Sequence, residues 1–268
     1  MSVQTLYTAA TGMDSLQTKL DVIANNLANV NTTGFKRDRA NFEDLFYRQE
    51  VLPGALDAAG QLTPVGTQIG LGSRVSSTQT DFDQGAFQQS NRQLDVAIEG
   101  SGFFRVIDPA TSETMYTRAG NFSINADGAL VIGSAGTGRL LDPAITIPPD
   151  ATGIVISPDG QVSVRQAGQA TLQQLTQIQL ATFINPQGLL KLGENLYAET
   201  GASGTPIEGT PGTSGIGALR QNALEASNVE PVQELIDLIT TQRAFELNSQ
   251  AIQAGDQILQ LVANLRRF

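Results

Sequence analysis

Met13-Asp14-Ser15-Leu16-Gln17-Thr18-Lys19-Leu20-Asp21-Val22-Ile23-Ala24-Asn25-Asn26-Leu27-Ala28-Asn29-Val30-Asn31-Thr32-Thr33-Gly34-Phe35-Lys36 decides how this chain is organised. Met13, Leu16, Leu20, Ile23, Leu27 and Val30 recur at alternating spacings of three and four, and Val3, Leu6 and Ala10 extend the phase backwards. That is a heptad stripe on one side of a helix, narrow enough to pack against another helix. A helix of about 27 residues would be ~40 Å long, too long to stand alone on a small domain. Asn31-Thr32-Thr33-Gly34 should end it, because Asn and Thr are poor helix formers and Gly suits the left-handed position past a helix end.

A partner is legible at the other end. Leu238, Phe245, Ile252 and Leu259 recur every seventh residue, flanked by Leu235 and Val262. Counting four residues on from each leucine or aromatic gives a polar second position, Gln242, Ser249 and Asp256. Ser227 or Asn228 is placed to cap this helix, and Pro231 falls in its first turn, where a missing N–H costs little. The expectation is a coiled-coil-like base made of both termini. Across residues 1–30 and 240–265 the side chains away from the stripes are mostly small or neutral, with Asp14, Lys19, Asp21, Arg243, Glu246 and Asp256 as the charges. Such faces suit burial against neighbours better than the mixed Glu/Lys surface of a solvated helix. An ordinary antiparallel coiled coil and a packed tube of many subunits both satisfy the pattern.

Composition removes several functions. The 268 residues carry a formal net charge of −10, which disfavours nucleic acid and anionic membranes as partners. No apolar run reaches eighteen residues, so no membrane-inserted segment is expected. No Sec-type signal is evident at the N-terminus. Histidine, cysteine and tryptophan are absent. Ser-His-Asp and Cys-His catalysis and zinc sites built on His or Cys are therefore excluded, and no cofactor or metal is expected. The nearest paired carboxylates, Asp81/Asp83 and Glu43/Asp44, sit in polar surroundings that suit a turn or a solvated face. A glycosidase-like or carbohydrate-binding β domain remains as a rival from another functional class.

Between the helices the signals are extended. Phe35–Tyr47 mixes aromatic and charged residues and reads as an apolar docking patch. Residues 48–73 are punctuated by Pro53, Gly54, Pro64, Gly66, Gly70 and Gly72, which gives either a mobile loop or a long hairpin ordered by neighbours. Leu94, Val96 and Ile98 alternate, turn through Gly100-Ser101-Gly102 and resume at Phe103, the pattern of a tight hairpin. Asp127-Gly128 and Asp159-Gly160 lie between apolar runs and read as hairpin turns. Leu175–Phe183 reads as one long strand, and the Gly/Ser/Thr/Pro-rich stretch 198–217 as a return linker. The resulting class is α+β: a discontinuous helical base (1–34 and 224–268), connecting segments (35–92 and 198–223) with an extended arm at 48–73, and an inserted β-rich domain (93–197).

Two separated motifs carry a resemblance. The run Ala24-Asn25-Asn26-Leu27-Ala28-Asn29-Val30-Asn31-Thr32-Thr33-Gly34-Phe35-Lys36-Arg37 resembles the N-terminal signature of the bacterial flagellar axial proteins, the rod and hook family. Ser227-Asn228-Val229-Glu230, followed by Thr241-Gln242-Arg243-Ala244-Phe245-Glu246-Leu247-Asn248-Ser249, is similar to their C-terminal one. Segments 94–104 and 116–123 resemble stretches shared by rod and hook proteins. The resemblance implies a non-enzymatic structural subunit that self-assembles into a helical homopolymer, its terminal helices forming the inner tube. The 48–73 arm resembles that of the distal-rod branch, the drive shaft transmitting torque to the hook; proximal rod or hook membership is the alternative. Implied partners are further copies of the chain, proximal rod proteins, the hook protein, the P-ring and L-ring proteins and the flagellar export apparatus. The implied location is the basal-body rod, reached by type III export without a cleaved signal.

Overall fold

The computed structural model describes the chain except residues 1–2, 55, 57–60, 63, 110, 135–136, 169–170 and 266–268, and except the side chains of 3, 134, 137, 262, 263 and 265. Two compact units emerge: residues 1–28, 38–80 and 230–268 form one, residues 29–37 and 81–229 the other. The chain therefore passes from one unit to the other at 28/29, 37/38, 80/81 and 229/230.

The first unit holds α1 (Val3–Ala28), β1 (Asp38–Asp44), β2 (Tyr47–Val51), β3 (Thr67–Gly70), β4 (Ser73–Thr80) and α2 (Pro231–Leu265). α1 packs against α2 and also against the β1 and β4 strands. β1 and β4 pair antiparallel from Asp38 opposite Thr80 to Asp44 opposite Ser73. Beyond them β2 and β3 continue as a second two-stranded ribbon, Tyr47 opposite Gly70 and Val51 opposite Thr67, with a bridge between Leu56 and Leu62. Within the excursion at 48–73 the described residues of β2 and β3 thus pair as a ribbon, and the segment 35–92 expected as connection contains β1 to β4.

The second unit holds β5 (Phe87–Gln89), β6 (Val96–Glu99), β7 (Phe103–Ile107), β8 (Thr114–Thr117), β9 (Ser123–Ile124), β10 (Leu130–Ser134), β11 (Thr137–Asp142), β12 (Ala151–Ile156), β13 (Gln161–Gln166), β14 (Gln173–Gln177), β15 (Leu180–Thr182), β16 (Leu190–Gly193), β17 (Leu196–Ala198), β18 (Ile207–Gly209), β19 (Ala218–Gln221) and β20 (Ala223–Glu225). A nine-stranded sheet runs β16-β17-β8-β7-β11-β10-β9, with β15 joining β7 and β18 joining β15. β12-β13-β14 form a three-stranded sheet, and β19-β6 and β20-β5 form ribbons. Its core includes Val96, Ile98, Phe104, Leu141, Ile178 and Leu180, each with no exposed surface. Burial of each such side chain contributes about 1.5–3 kcal/mol. A second cluster is aromatic: Phe82, Phe103, Tyr116, Phe183 and Tyr197 meet edge-to-face at centroid distances of 4.8–5.9 Å.

Both Asp-Gly turns join paired strands, β9 to β10 and β12 to β13, with Gly128 and Gly160 at φ +81° and +86°. Two readings are corrected. Gly100-Ser101-Gly102 is not a hairpin turn: β6 pairs with β19, and β7 with β8, β11 and β15. Both strands are buried, so core packing sets their partners: β6 pairs with β19, more than a hundred residues on, and β7 sits between strands of another sheet, which local alternation does not reveal. Leu175–Phe183 is two strands, β14 and β15, in different sheets.

Candidate assembly site

The helical unit is built around one seam. α2 offers Leu238, Phe245, Ile252 and Leu259, all partly buried, as the heptad predicts. The positions between them are Glu234, Thr241, Asn248 and Gly255; Glu234, Thr241 and Gly255 are buried and Asn248 partly so. The second seam position is therefore one residue earlier than expected, and Gln242 lies exposed while Ser249 is partly covered. Leu235 leaves the seam, 44% exposed, because Glu234 occupies that turn. Val262 lies outside the described side chains. On α1, Met13, Leu16, Leu20 and Leu27 are partly buried and Ile23 is buried at 4% exposure, whereas Ala10 is exposed. Val30 does not belong to α1: the helix ends at Ala28, and Val30 sits in the following turn, in the other unit.

Asn26 is the polar hub at one end of this seam. Its Nδ2 donates to the Asp38 carbonyl (2.8 Å) and to Glu234 Oε2 (3.3 Å), and its Oδ1 accepts from the Asp38 N–H (2.9 Å). One amide thus satisfies the start of β1 as a neighbouring strand would, and holds the buried Glu234 carboxylate of α2. At the other end Gly12 lies against α2, where an added Cβ would sit 3.3 Å from Asn248 Nδ2. Ser15 donates to the Ser73 carbonyl at the start of β4 (3.4 Å). Asn25 and Ala24 are exposed.

The remaining signature residues serve the β unit. Gly34 has φ +70°, and a Cβ there would come within 2.8 Å of the Ala119 nitrogen, so glycine is required. Its N–H donates to the Glu225 carbonyl (2.8 Å). Thr32 and Asn29 bond each other across the turn: Thr32 N–H to the Asn29 carbonyl, and Thr32 Oγ1 to Asn29 Oδ1. Asn31 is exposed. Phe35 is buried under Lys191, whose Nζ stands 5.4 Å from the ring centre.

Lys36 and Glu225 meet inside the β unit with neither side chain exposed (2.6 Å), and Arg118 Nε completes a triad at 2.9 Å from Glu225 Oε2. Glu225 Oε1 also accepts from the Gly85 N–H (3.0 Å), and Lys36 donates to the Asp83 carbonyl (2.7 Å). Burial pushes the Lys36 ammonium below its ordinary pKa, helped by Arg118 and opposed by Glu225. Burial alone would raise the Glu225 carboxyl; Arg118 and Lys36 outweigh it and hold the group below its usual range. Asn228 extends the clasp: its Oδ1 accepts from the Arg37 N–H (2.8 Å), and its Nδ2 donates to the Asp81 and Asp83 carbonyls (2.9 and 3.1 Å). Neither Asn228 nor Ser227 caps α2, since Ser227 Oγ takes the Val229 N–H. Val229 is buried, and Arg243 is exposed and paired with Glu246 (2.9 Å). The triad was not anticipated. Arg118 and Glu225 are single charges 107 residues apart, and nothing local marks them as partners.

The arm residues Pro53, Gly54 and Pro64 are exposed, Gly66 and Gly70 are partly covered within the ribbon, and Gly72 lies against Thr11 and Thr8 of α1. Around them Phe46, Leu56, Leu62 and Val65 stand largely in solvent. Among the described residues no group of three or more acidic or other metal-ligating side chains is placed to hold a metal ion.

Three family models match the chain: "Flagella basal body rod protein" over residues 6–36, "Flagellar hook protein FlgE/F/G D1 domain" over 97–164, and "Flagellar basal body rod FlgEFG protein C-terminal" over 220–265. The flagellar basal-body rod protein FlgG of Caulobacter vibrioides is 45% identical, covering 98% of this chain and all of the relative. The FlgG of Bacillus subtilis is 42% identical over 99% of this chain and all of the relative. The flagellar hook-basal body complex protein FlhP of the same organism is 30% identical over 98% of this chain.

Proposed function

This chain belongs to the family of the flagellar basal-body rod protein FlgG, structural proteins of the rod, and on that premise we propose that it is a self-assembling subunit of the distal rod. In this reading the α1–α2 seam, with Asn26 near one end, is the base that enters a helical tube. The observation that carries it is an asymmetry of burial. Among the described residues Ile23 is the one buried apolar side chain of the helical unit, while every other buried apolar residue belongs to the β unit. A 35-residue helix with so thin a core gains too little alone to offset its ordering entropy and needs neighbours.

The β2–β3 ribbon supplies the second element. A lone two-stranded ribbon is marginal in water, and this one displays apolar side chains and two unpaired edges. Seated along neighbouring copies, it resists their sliding and stiffens the shaft. Partners follow from the location: proximal rod proteins below, hook protein above, the P-ring and L-ring proteins around, and the flagellar export apparatus delivering the chain. The greater likeness to FlgG than to FlhP within one organism supports the distal assignment over another axial protein.

The test is to polymerise the purified chain, image the tubes, and repeat with residues 48–72 deleted, which leaves Ser73 and the β1–β4 pairing in place. Straight tubes from the intact chain and measurably bent ones from the deletion are expected. Equal persistence lengths would move the assignment to a proximal rod protein, and no polymer from the intact chain would remove the self-assembly reading.

A further inference from the structure

The seam uses one side of α2. The opposite side carries a second stripe: Val232, Ile236, Ile239, Leu247, Ile258 and Leu261 are all exposed, Leu247 by 65%. At 100° per residue they fall within about 100° of arc, almost diametrically opposite the seam. From Val232 to Leu261 the stripe is roughly 44 Å long. An apolar rail of that length matches another long helix better than a globular pocket, and the chain offers one. On α1 the residues Ala10, Asp14, Gln17, Asp21, Ala24 and Ala28 are exposed at strict three-four spacing, on the side away from the seam. Their side chains are short, so a facing helix can approach closely.

Charge separates the two faces. The single charged residue within the α2 arc is Arg243, which holds the exposed Glu246 at the edge of the arc through one guanidinium nitrogen and has others to offer, and α1 presents Asp14 and Asp21 with no base beside them on that face. Position agrees as well. Asn26 opposite Glu234 and Gly12 opposite Asn248 set α1 and α2 antiparallel in one register. In that register Arg243 is level with Gln17, midway between Asp14 and Asp21, and Ile236 is level with Ala24. A neighbour displaced sideways with an axial shift of up to about 5 Å still holds Arg243 between Asp14 and Asp21, which lie about 10 Å apart along the helix.

We propose that the outer stripe of α2 docks onto the outer face of α1 in a second copy of this chain, with Arg243 seated between that copy's Asp14 and Asp21. The inference rests on the self-assembly proposed above and names the surfaces that perform it. Because the two faces differ, the contact is head-to-tail; it leaves one of each face open at the ends and propagates instead of closing a dimer.

Two experiments test it, using the absence of native cysteine. In polymers grown from a mixture of an Ala24→Cys chain and an Ile236→Cys chain, oxidation should yield one dominant dimer that joins the two variants. A dominant dimer of Ile236→Cys with itself, or polymer without cross-link, overturns the proposal. Separately, Arg243→Asp should lower polymer yield at least tenfold, and the Asp14→Arg, Asp21→Arg exchange in the same chain should restore it. Unchanged yield from Arg243→Asp, or no restoration, also overturns it. If the intact chain forms no polymer in the parallel control, it is the self-assembly reading that fails.

Discussion

The two units of this chain solve the burial problem in opposite ways. The β unit is self-sufficient: its sheets enclose a contiguous core, a second aromatic cluster and a fully satisfied Glu225 carboxylate. Among the described residues the helical unit has one buried apolar side chain, Ile23, and a seam in which Leu238, Phe245 and Ile252 alternate with Thr241, Asn248 and Gly255. Its apolar surface is turned outward instead, on α2 and on the β2–β3 ribbon. One unit is finished when the subunit folds, and in the proposed assembly the other is finished by its neighbours.

The largest test of that contrast is amide exchange on dilute monomer. Strands β6, β7 and β13 should exchange at least about a thousandfold more slowly than α1 and α2, the ratio set by an opening energy difference of roughly 4 kcal/mol. Equal protection of both units would break the comparison. Next in size is Glu225→Ala, which leaves Lys36 and Arg118 buried without their counter-charge. It should destabilise the β unit by about 3–5 kcal/mol, measured by chemical denaturation. Lys36→Met should cost less, because Arg118 still pairs with Glu225 and a desolvated charge is removed. The pH dependence follows from the lowered Glu225 pKa: its contribution is fully present above the unfolded value of about 4.3 and is lost as pH falls through the folded one. The lowered Lys36 pKa acts the other way. It penalises the charged folded form at neutral pH, and stability rises as pH climbs from the folded value towards about 10.4.

Ile252→Asp places a charge in the seam, at a cost of several kcal/mol to the helical unit. Polymer should be lost while the denaturation midpoint of the β unit stays unchanged. The smallest effect is expected from Asn26→Ala, which removes three hydrogen bonds and leaves Glu234 and the start of β1 short of partners. About 1–3 kcal/mol should be lost, read as a raised critical concentration for polymerisation, again without a shift in the β unit.

The same contrast explains what could be read from the sequence. Leu238, Phe245, Ile252 and Leu259 announce themselves by a period of seven, and Pro231 marks the start of α2. Asp127-Gly128 and Asp159-Gly160 announce their turns, since a type of turn demands a type of residue. The second seam position was misread by one residue because Thr241, Asn248 and Gly255 carry no hydrophobic signal. A spacing of three and a spacing of four then look alike. The outer stripe of α2 was hidden for a related reason: Arg243, Gln250 and Ala254 interrupt it. The Lys36–Glu225–Arg118 triad and the β6–β19 pairing depend on residues far apart in the chain, which no local pattern can join.

The four passages of the chain between its two units have a mechanical consequence. A domain hung on a single linker transmits a pull through one backbone and turns freely about it. Here the chain joins the two units by four backbones instead of one. Three of the four exits, after Arg37, before Asp81 and after Val229, start within a few residues of the Lys36–Glu225–Asn228 clasp. A pull arriving on any of these three therefore meets one hydrogen-bonded cluster inside the β unit, which ties the three to each other.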